Sequence, residues 1–363
     1  MIRRIESPTG ARVVVDGRTI LNFGGSSYLG LSYRPELTQA GVAALQSQGP
    51  TAQLPRHYGF ALAANLEVES AAAEFFGAES AMYFSTGYLF GLIALTGLAA
   101  EYDAVFMDAS AHYGLRDGAA AAGKPVHTFA HLDAEDLARV MARELRPGQR
   151  PLVATDGMFA TFGSLPPLAD YVRLIEPHGG WLVVDESHAF GAVGATGRGA
   201  VERCGVAGGR VVAGGSLGKA FCAFGGLAIG PQAVIDDLWK SPAARGAVSG
   251  MSSGAAMSAA SLRYVREHPE LLQQLRRNVR QLKDGVRRIG LEANDTEAPV
   301  AAFVCGTAGE MKALQERLMD EDIFVIYSNY VGAGPSGAIR CAAFADHTPE
   351  DIERLLDALG RHL

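Results

Sequence analysis

Seven short apolar runs rich in β-branched or aromatic residues, separated by stretches of helical pattern, limit this chain to few architectures. The runs are residues 81–84, 104–107, 126–129, 152–155, 181–185, 211–214 and 227–230, and the helical stretches between them include 65–76 and 168–176. A strand with one wet face alternates apolar and polar side chains. A continuously apolar strand is covered on both faces, as in a largely parallel sheet with crossover helices. The class expected is therefore α/β. Ligands of such sheets sit beyond the carboxyl ends of the strands, so polar residues there bear most on function.

Beyond about Pro242 the pattern changes. One long helical region is expected over residues 255–289, then strands near 300–304, 323–326 and 339–342 with helices at 309–319 and 349–359. The last helix has a clear start: Thr348 can cap it, Pro349 suits its first turn and Asp351 suits its positive end. This is a smaller C-terminal α/β unit. The stretch Gly118–Gly123 is rich in Gly and Ala, which fits close helix packing.

Acidic side chains outnumber basic ones, 39 to 32, for a net charge of −7, which argues against nucleic acid or an anionic membrane as partner. Arg276, Arg277 and Arg280 read as the solvated face of a helix. Cys204, Cys222, Cys305 and Cys341 lie far apart without a CxxC pair, so free thiols are expected and no metal site. No run of about 18 apolar residues suggests a membrane span. The basic start Met1-Ile-Arg-Arg4 lacks the apolar stretch of a signal peptide, and a cytoplasmic location is expected.

Asp185 ends the run Trp181-Leu-Val-Val-Asp185 and is followed by Glu186-Ser187-His188. A carboxylate there points into the ligand crevice, and a histidine three residues on can return to it. The pair alone is equally compatible with a structural cap, a hydrolase or a metal site. Lys219 lies in Gly214-Gly-Ser-Leu-Gly-Lys219, straight after a strand, with Ala220-Phe-Cys-Ala-Phe224 behind it. An isolated lysine is ordinarily a surface residue. With such neighbours it is desolvated, which lowers its pKa and favours the neutral amine that attacks an aldehyde. A GxxxxGK[ST] phosphate loop is excluded, because Ala220 follows the lysine.

Phe84-Ser-Thr86-Gly87-Tyr88 leaves a strand and opens a helix, where free N–H groups, hydroxyls and a glycine can make a phosphate site or simply a turn. His112, in Asp108-Ala-Ser-Ala-His112-Tyr, is either an ordinary packed histidine or a ring stacked on a flat ligand.

Taken in order, these segments resemble the α-oxoamine synthase family of pyridoxal-phosphate (PLP) enzymes, within the fold-type-I aminotransferase-like superfamily. The resemblance runs from Asn22 to Leu359. It is carried by Tyr28-Leu-Gly-Leu31, Ser85-Thr-Gly-Tyr88, Thr155-Asp-Gly-Met-Phe159, Val184-Asp-Glu-Ser-His188, Gly194-Ala-Thr-Gly-Arg-Gly199, Ser216-Leu-Gly-Lys219 and Ala345-Asp-His-Thr348. It implies a mostly parallel central sheet with a smaller α/β C-terminal domain. The divisions expected are an N-terminal segment (1–34), a large PLP-binding domain (35–242), and an interface helix with a small C-terminal domain (243–363).

The resemblance assigns roles position by position. Lys219 matches the Schiff-base lysine, Asp185 the partner of the pyridine nitrogen, His188 the histidine near the ring hydroxyl and His112 the histidine stacked on the ring. Thr86, Gly87 and Tyr88 match the phosphate turn, Ser216 the hydroxyl three before the lysine, and Arg340 the holder of the substrate carboxylate. Ser249 resembles a phosphate ligand donated by a partner subunit.

The implied activity is condensation of an amino acid, through a Cα carbanion and often with decarboxylation, with an acyl-CoA or acyl-carrier thioester. The implied assembly is a homodimer, its shared site drawing on Ser249 and the 53–58 segment.

Departures touch the acceptor side. Where the family usually shows Phe-Ser-Met-Asp-Gly, this chain has Phe159-Ala160-Thr161-Phe162-Gly163, so Thr161 is the remaining hydroxyl for the ring oxygen. Gly49-Pro-Thr-Ala-Gln-Leu-Pro-Arg-His-Tyr-Gly59 replaces a glycine- and serine-rich entry segment. These changes point to an unusual substrate in specialised metabolism. Transamination, β- or γ-elimination, or condensation with a non-thioester electrophile is the alternative, and a non-catalytic binding role is disfavoured by Lys219, Asp185 and His112 together.

Overall fold

The computed structural model describes residues 2–247 and 250–363. Its centre is a seven-stranded sheet made of Ser80–Phe84 (β3), Ala104–Asp108 (β4), Val126–Phe129 (β5), Pro151–Asp156 (β6), Trp181–Asp185 (β7), Val211–Ser216 (β8) and Gly226–Gly230 (β9), following an N-terminal hairpin of Arg12–Val15 (β1) and Arg18–Asn22 (β2). The spatial order is β3-β9-β8-β7-β6-β4-β5. Only β9 runs against its neighbours; β8, β7, β6, β4 and β5 pair in parallel.

Both faces of the sheet are buried along its central strands, as their apolar runs require, but the edge strand β5, expected to be covered too, keeps Val126 and Thr128 exposed. Val153, Leu182 and Ala213 belong to one core cluster, while Leu152, Ala154, Val183 and Val212 belong to the cluster on the other side. In that second layer the helices Leu89–Gly97 and Tyr113–Ala122 cross at backbone contact. A Cβ on Gly91 would lie 2.3 Å from the carbonyl oxygen of Gly114, and one on Gly118 would lie 2.3 Å from that of Gly91.

The C-terminal part holds Val300–Phe303 (β10), Ile323–Phe324 (β11), Ile326–Ser328 (β12) and Ala338–Ala342 (β13). Strands β10, β13 and β12 form an antiparallel sheet, while β11 pairs in parallel with β2. The single strand expected at 323–326 is therefore two, in different sheets. The N-terminal hairpin is held there by Arg12, whose guanidinium forms two hydrogen bonds, 3.1 and 2.6 Å, with the Asp351 carboxylate.

The long helical region expected at 255–289 is also two elements, Ser252–Glu267 and Glu270–Arg288. Pro269 lies between them, lacking an N–H and obstructing the preceding turn. Thr348 does cap the last helix, in a reciprocal capping box with Asp351. Arg277 and Arg280 are exposed as expected, but Arg276 is half-buried and donates to the Gly194 carbonyl. Among the described residues no helix is long and apolar enough to cross a membrane.

Candidate active site

The parallel register places three strand ends together. Asp156 is the cross-strand partner of Asp185, and Asp185 of Gly214. Both carboxylates are buried, with Asp108 at the end of β4 beside them. One oxygen of Asp185 accepts the N–H of Ser187 at 2.9 Å, closing the turn into His188. Burial, then the charge of Asp185, push the Asp156 carboxyl well above the usual carboxylate range. One Asp156 oxygen accepts the backbone N–H of His112 at 2.9 Å, which fixes the start of the helix after β4.

Lys219 follows β8 by three residues and lines a cavity of about 460 Å³ together with His112, His188, Arg340, Ala160 and Tyr330. Burial lowers its pKa, opposed by the charges of Asp185 and Asp156. Four of the expected residues therefore meet in one cavity, with Asp185 close enough for its charge to act on both Lys219 and His112.

The turn Thr86-Gly87-Tyr88 packs on Ser216. A Cβ on Gly87 would lie 2.4 Å from the Ser216 Cα, so only glycine lets the helix start approach β8 so closely. Ser216 Oγ accepts from Gly218 N at 3.0 Å, and Ser216 N donates to Ser187 Oγ at 2.8 Å. The Tyr88 ring stands edge-on to His112, centroids 5.9 Å apart, and its hydroxyl donates to Asp117. Ser249 lies outside the described residues.

Arg340 reaches the cavity from β13. Its Nε donates to the Ala160 carbonyl at 2.8 Å, Nη1 to the Gly25 carbonyl at 3.0 Å and Nη2 to the Tyr28 hydroxyl at 3.0 Å. The Tyr28 oxygen is also 2.8 Å from His188 Nδ1. Burial, then the charge of Lys219, hold His188 well below its ordinary pKa, so the ring is neutral.

Two expectations change. Thr161 does not offer a hydroxyl to the cavity: its Oγ1 is bonded to the Val331 carbonyl at 3.2 Å and lies 3.5 Å from Ser328 Oγ. The 53–58 segment, assigned to a shared site because it has no obvious role within its own chain, has one: Arg56 pairs with Glu69 at 2.7 Å and lies 4.4 Å from the centre of the Trp239 ring.

Sequence reasoning missed Asp156, although it obeys the strand-end rule that found Asp185. It also gave Tyr28 no task. Tyr330 offered no signal: it comes from a C-terminal loop, and its hydroxyl meets His112 Nε2 at 2.9 Å across 218 positions of sequence.

Residues 18–359 match the aminotransferase class I and II family. The chain belongs to that family. Among its relatives are 8-amino-7-oxononanoate synthases from Symbiobacterium thermophilum, 31% identical over 99% of this chain and 92% of the relative, and from Methylococcus capsulatus, 35% identical over 99% and 93%. A serine palmitoyltransferase variant from S. paucimobilis, with bound PLP–myriocin aldimine, superposes with a TM-score of 0.92 at 25% identity, over 99% of this chain and 92% of that one. An 8-amino-7-oxononanoate synthase from Francisella tularensis shares the fold, with a TM-score of 0.80 at 21% identity, over 94% of this chain and 97% of that one. The aminotransferase class I and II fold thus accounts for the mixed sheet and for the cavity at its strand ends.

Proposed function

We propose that this chain is a PLP-dependent acyltransferase that forms a carbon–carbon bond between an amino acid and an acyl thioester. One observation carries it: Lys219, desolvated by burial, lines an open cavity together with Arg340, His112 and His188, within reach of the charges of Asp185 and Asp156.

The residues present fit the cofactor. Gly87 is pressed against Ser216, and among the described residues the backbone N–H groups of Thr86, Gly87 and Tyr88, just ahead of the helix, donate to no protein acceptor, as a phosphate-binding turn needs. Thr86, Gly87, Tyr88 and Ser216 would hold the phosphate, with Ser249 contributed by a second copy. Asp185 has one oxygen on Ser187 and a second for the pyridine nitrogen, His112 offers a ring face, and Lys219 is the amine for the aldehyde. When bound, PLP supplies an electron sink for charge at the substrate Cα.

The protein's own groups do the rest. An amine whose pKa is lowered by burial is suited to accept and return a proton at the substrate Cα. Of the five N–H donors of Arg340, three are taken by Ala160, Gly25 and Tyr28, leaving two for a carboxylate. That grip sets which bond at Cα is aligned for cleavage. The Tyr330–His112 hydrogen bond ties the C-terminal loop to the helix start beyond β4, restricting water at the cavity wall.

A homodimer and a cytoplasmic location belong to the same proposal. Val42, Leu45, Leu54, Tyr58, Phe60 and Leu66 leave apolar side chains exposed along two helices and their connection, as an interface between copies would need. The four free cysteines suit a reducing compartment.

The deciding test mixes PLP-loaded enzyme with amino acids and acyl-CoA thioesters of graded length and follows free thiol. Amino-acid-dependent thiol release is expected. Amino-acid turnover with no thiol from any acyl donor would overturn the acyltransferase assignment in favour of transamination or elimination.

A further inference from the structure

The hydrogen-bond chain Arg340–Tyr28–His188 determines where the His188 proton sits. Arginine donates and never accepts, so the Tyr28 oxygen is the acceptor of the Arg340 Nη2 bond at 3.0 Å. Tyr28 is fully buried, and among the described residues its only other polar neighbour within hydrogen-bond distance is His188 Nδ1 at 2.8 Å. Its single hydroxyl hydrogen has no other destination, and a buried donor left unpaired is costly. His188 Nδ1 therefore accepts, and the one proton of the neutral ring lies on Nε2. Among the described residues Nε2 has no partner, and His188 lines the cavity that holds Lys219.

The surroundings leave this donor alone. Ala160 has no hydroxyl, and Thr161 is committed to the Val331 carbonyl. The groups facing His188 are Tyr28, Lys219, Arg340 and His112, none of them an anion that would favour a second proton on the ring.

We infer that Tyr28 is a positioning residue that locks His188 in the Nε2–H tautomer, making it the hydrogen-bond donor to the ring oxygen of the cofactor while seating Arg340 for the substrate carboxylate. This rests on the PLP assignment above, deepens it, and gives the Tyr28-Leu-Gly-Leu31 motif a task. One residue thereby couples the cofactor side of the cavity to the substrate side.

Two measurements test it. In the cofactor-free chain, ¹⁵N NMR of ring-labelled histidine, with His188 identified by its loss in His188→Gln, should show Nε2 protonated and Nδ1 bare. Tyr28→Phe should convert that pattern to a mixture of tautomers. A protonated Nδ1 in the unaltered chain would overturn the inference, whether or not the variant folds.

In the PLP-loaded chain, the visible absorbance of the cofactor on Lys219 titrates with pH. A donor aimed at the ring oxygen favours its negative charge, so Tyr28→Phe should hold the Lys219-nitrogen proton to higher pH, raising the midpoint by about one unit, a tenfold change. An unmoved midpoint together with an unmoved NMR pattern would refute the role. A chain that takes up no PLP would refute the cofactor assignment instead, while the NMR measurement still decides the tautomer.

Discussion

Asp156 and Asp185 stand in register on adjacent parallel strands, and both act on the amine of Lys219. Two neighbouring carboxyls in a buried site do not both ionise readily, and here burial and Asp185 together drive the Asp156 carboxyl toward its neutral form. The two positions should therefore respond differently to the same substitution. Asp156→Asn is a near-isosteric change at the carboxyl that burial and Asp185 already push toward its neutral form, and should cost turnover far less than the same change at Asp185. Asp185→Asn removes a charge-assisted bond of about 1.5–3 kcal/mol, and turnover should fall by about 10- to 150-fold. Equal losses in steady-state assays would contradict this division.

Lys219→Ala should lose the visible cofactor band and at least about a hundredfold in turnover, the lower end of what a positioned proton-transfer group contributes. Unimpaired turnover by the variant would remove Lys219 from the mechanism.

Arg340→Lys should raise KM for the amino acid more than it lowers kcat. A lysine lacks the fork that bonds Ala160, Gly25 and Tyr28 at once and still leaves two donors for a carboxylate. Steady-state kinetics with an amino acid and its decarboxylated amine separate the two effects, since the amine should be insensitive to the change.

His347 gives a pH-dependent stability. Its ring stacks on Phe23 at 4.1 Å, Nδ1 accepts from Phe344 N, and Nε2 donates to the Asn22 carbonyl. Burial lowers its pKa to about 4. The unfolded chain then binds a proton that the folded one refuses between about pH 6.5 and 4, so this contribution is complete above 6.5 and lost as pH falls through that window. The loss is about 3 kcal/mol by pH 4. Urea unfolding at pH 7 and pH 4.5 should show a steep decline that His347→Asn flattens.

Gly91→Ala should destabilise by about 1–3 kcal/mol or more, since its Cβ would press on the Gly114 carbonyl, whereas the same change at Gly309, an exposed helical position whose nearest neighbour would be 3.9 Å away, should not. Thermal melts of the two variants provide the comparison.

Much of this was legible in one dimension. Uninterrupted apolar runs specify strands covered on both faces, because a buried pleat tolerates no alternation, and their carboxyl ends pointed to Asp185 and to the loop bearing Lys219. Pro269 shows the limit of such patterns: apolar periodicity continues across it while the backbone does not. Chain order by itself pointed to the strand ends where the cavity opens, to Lys219 and Asp185 near it, and to the capped last helix.

The rest required the folded molecule. Strand register alone makes Asp156 the neighbour of Asp185, and docking of the C-terminal sheet brings Arg340 and Tyr330 to residues far earlier in the chain. It also commits the Thr161 hydroxyl to the Val331 carbonyl and threads Tyr28 between Arg340 and His188. Proton positions and charge states depend on desolvation and on contacts a few ångströms away, and those distances come into being only when distant segments pack together.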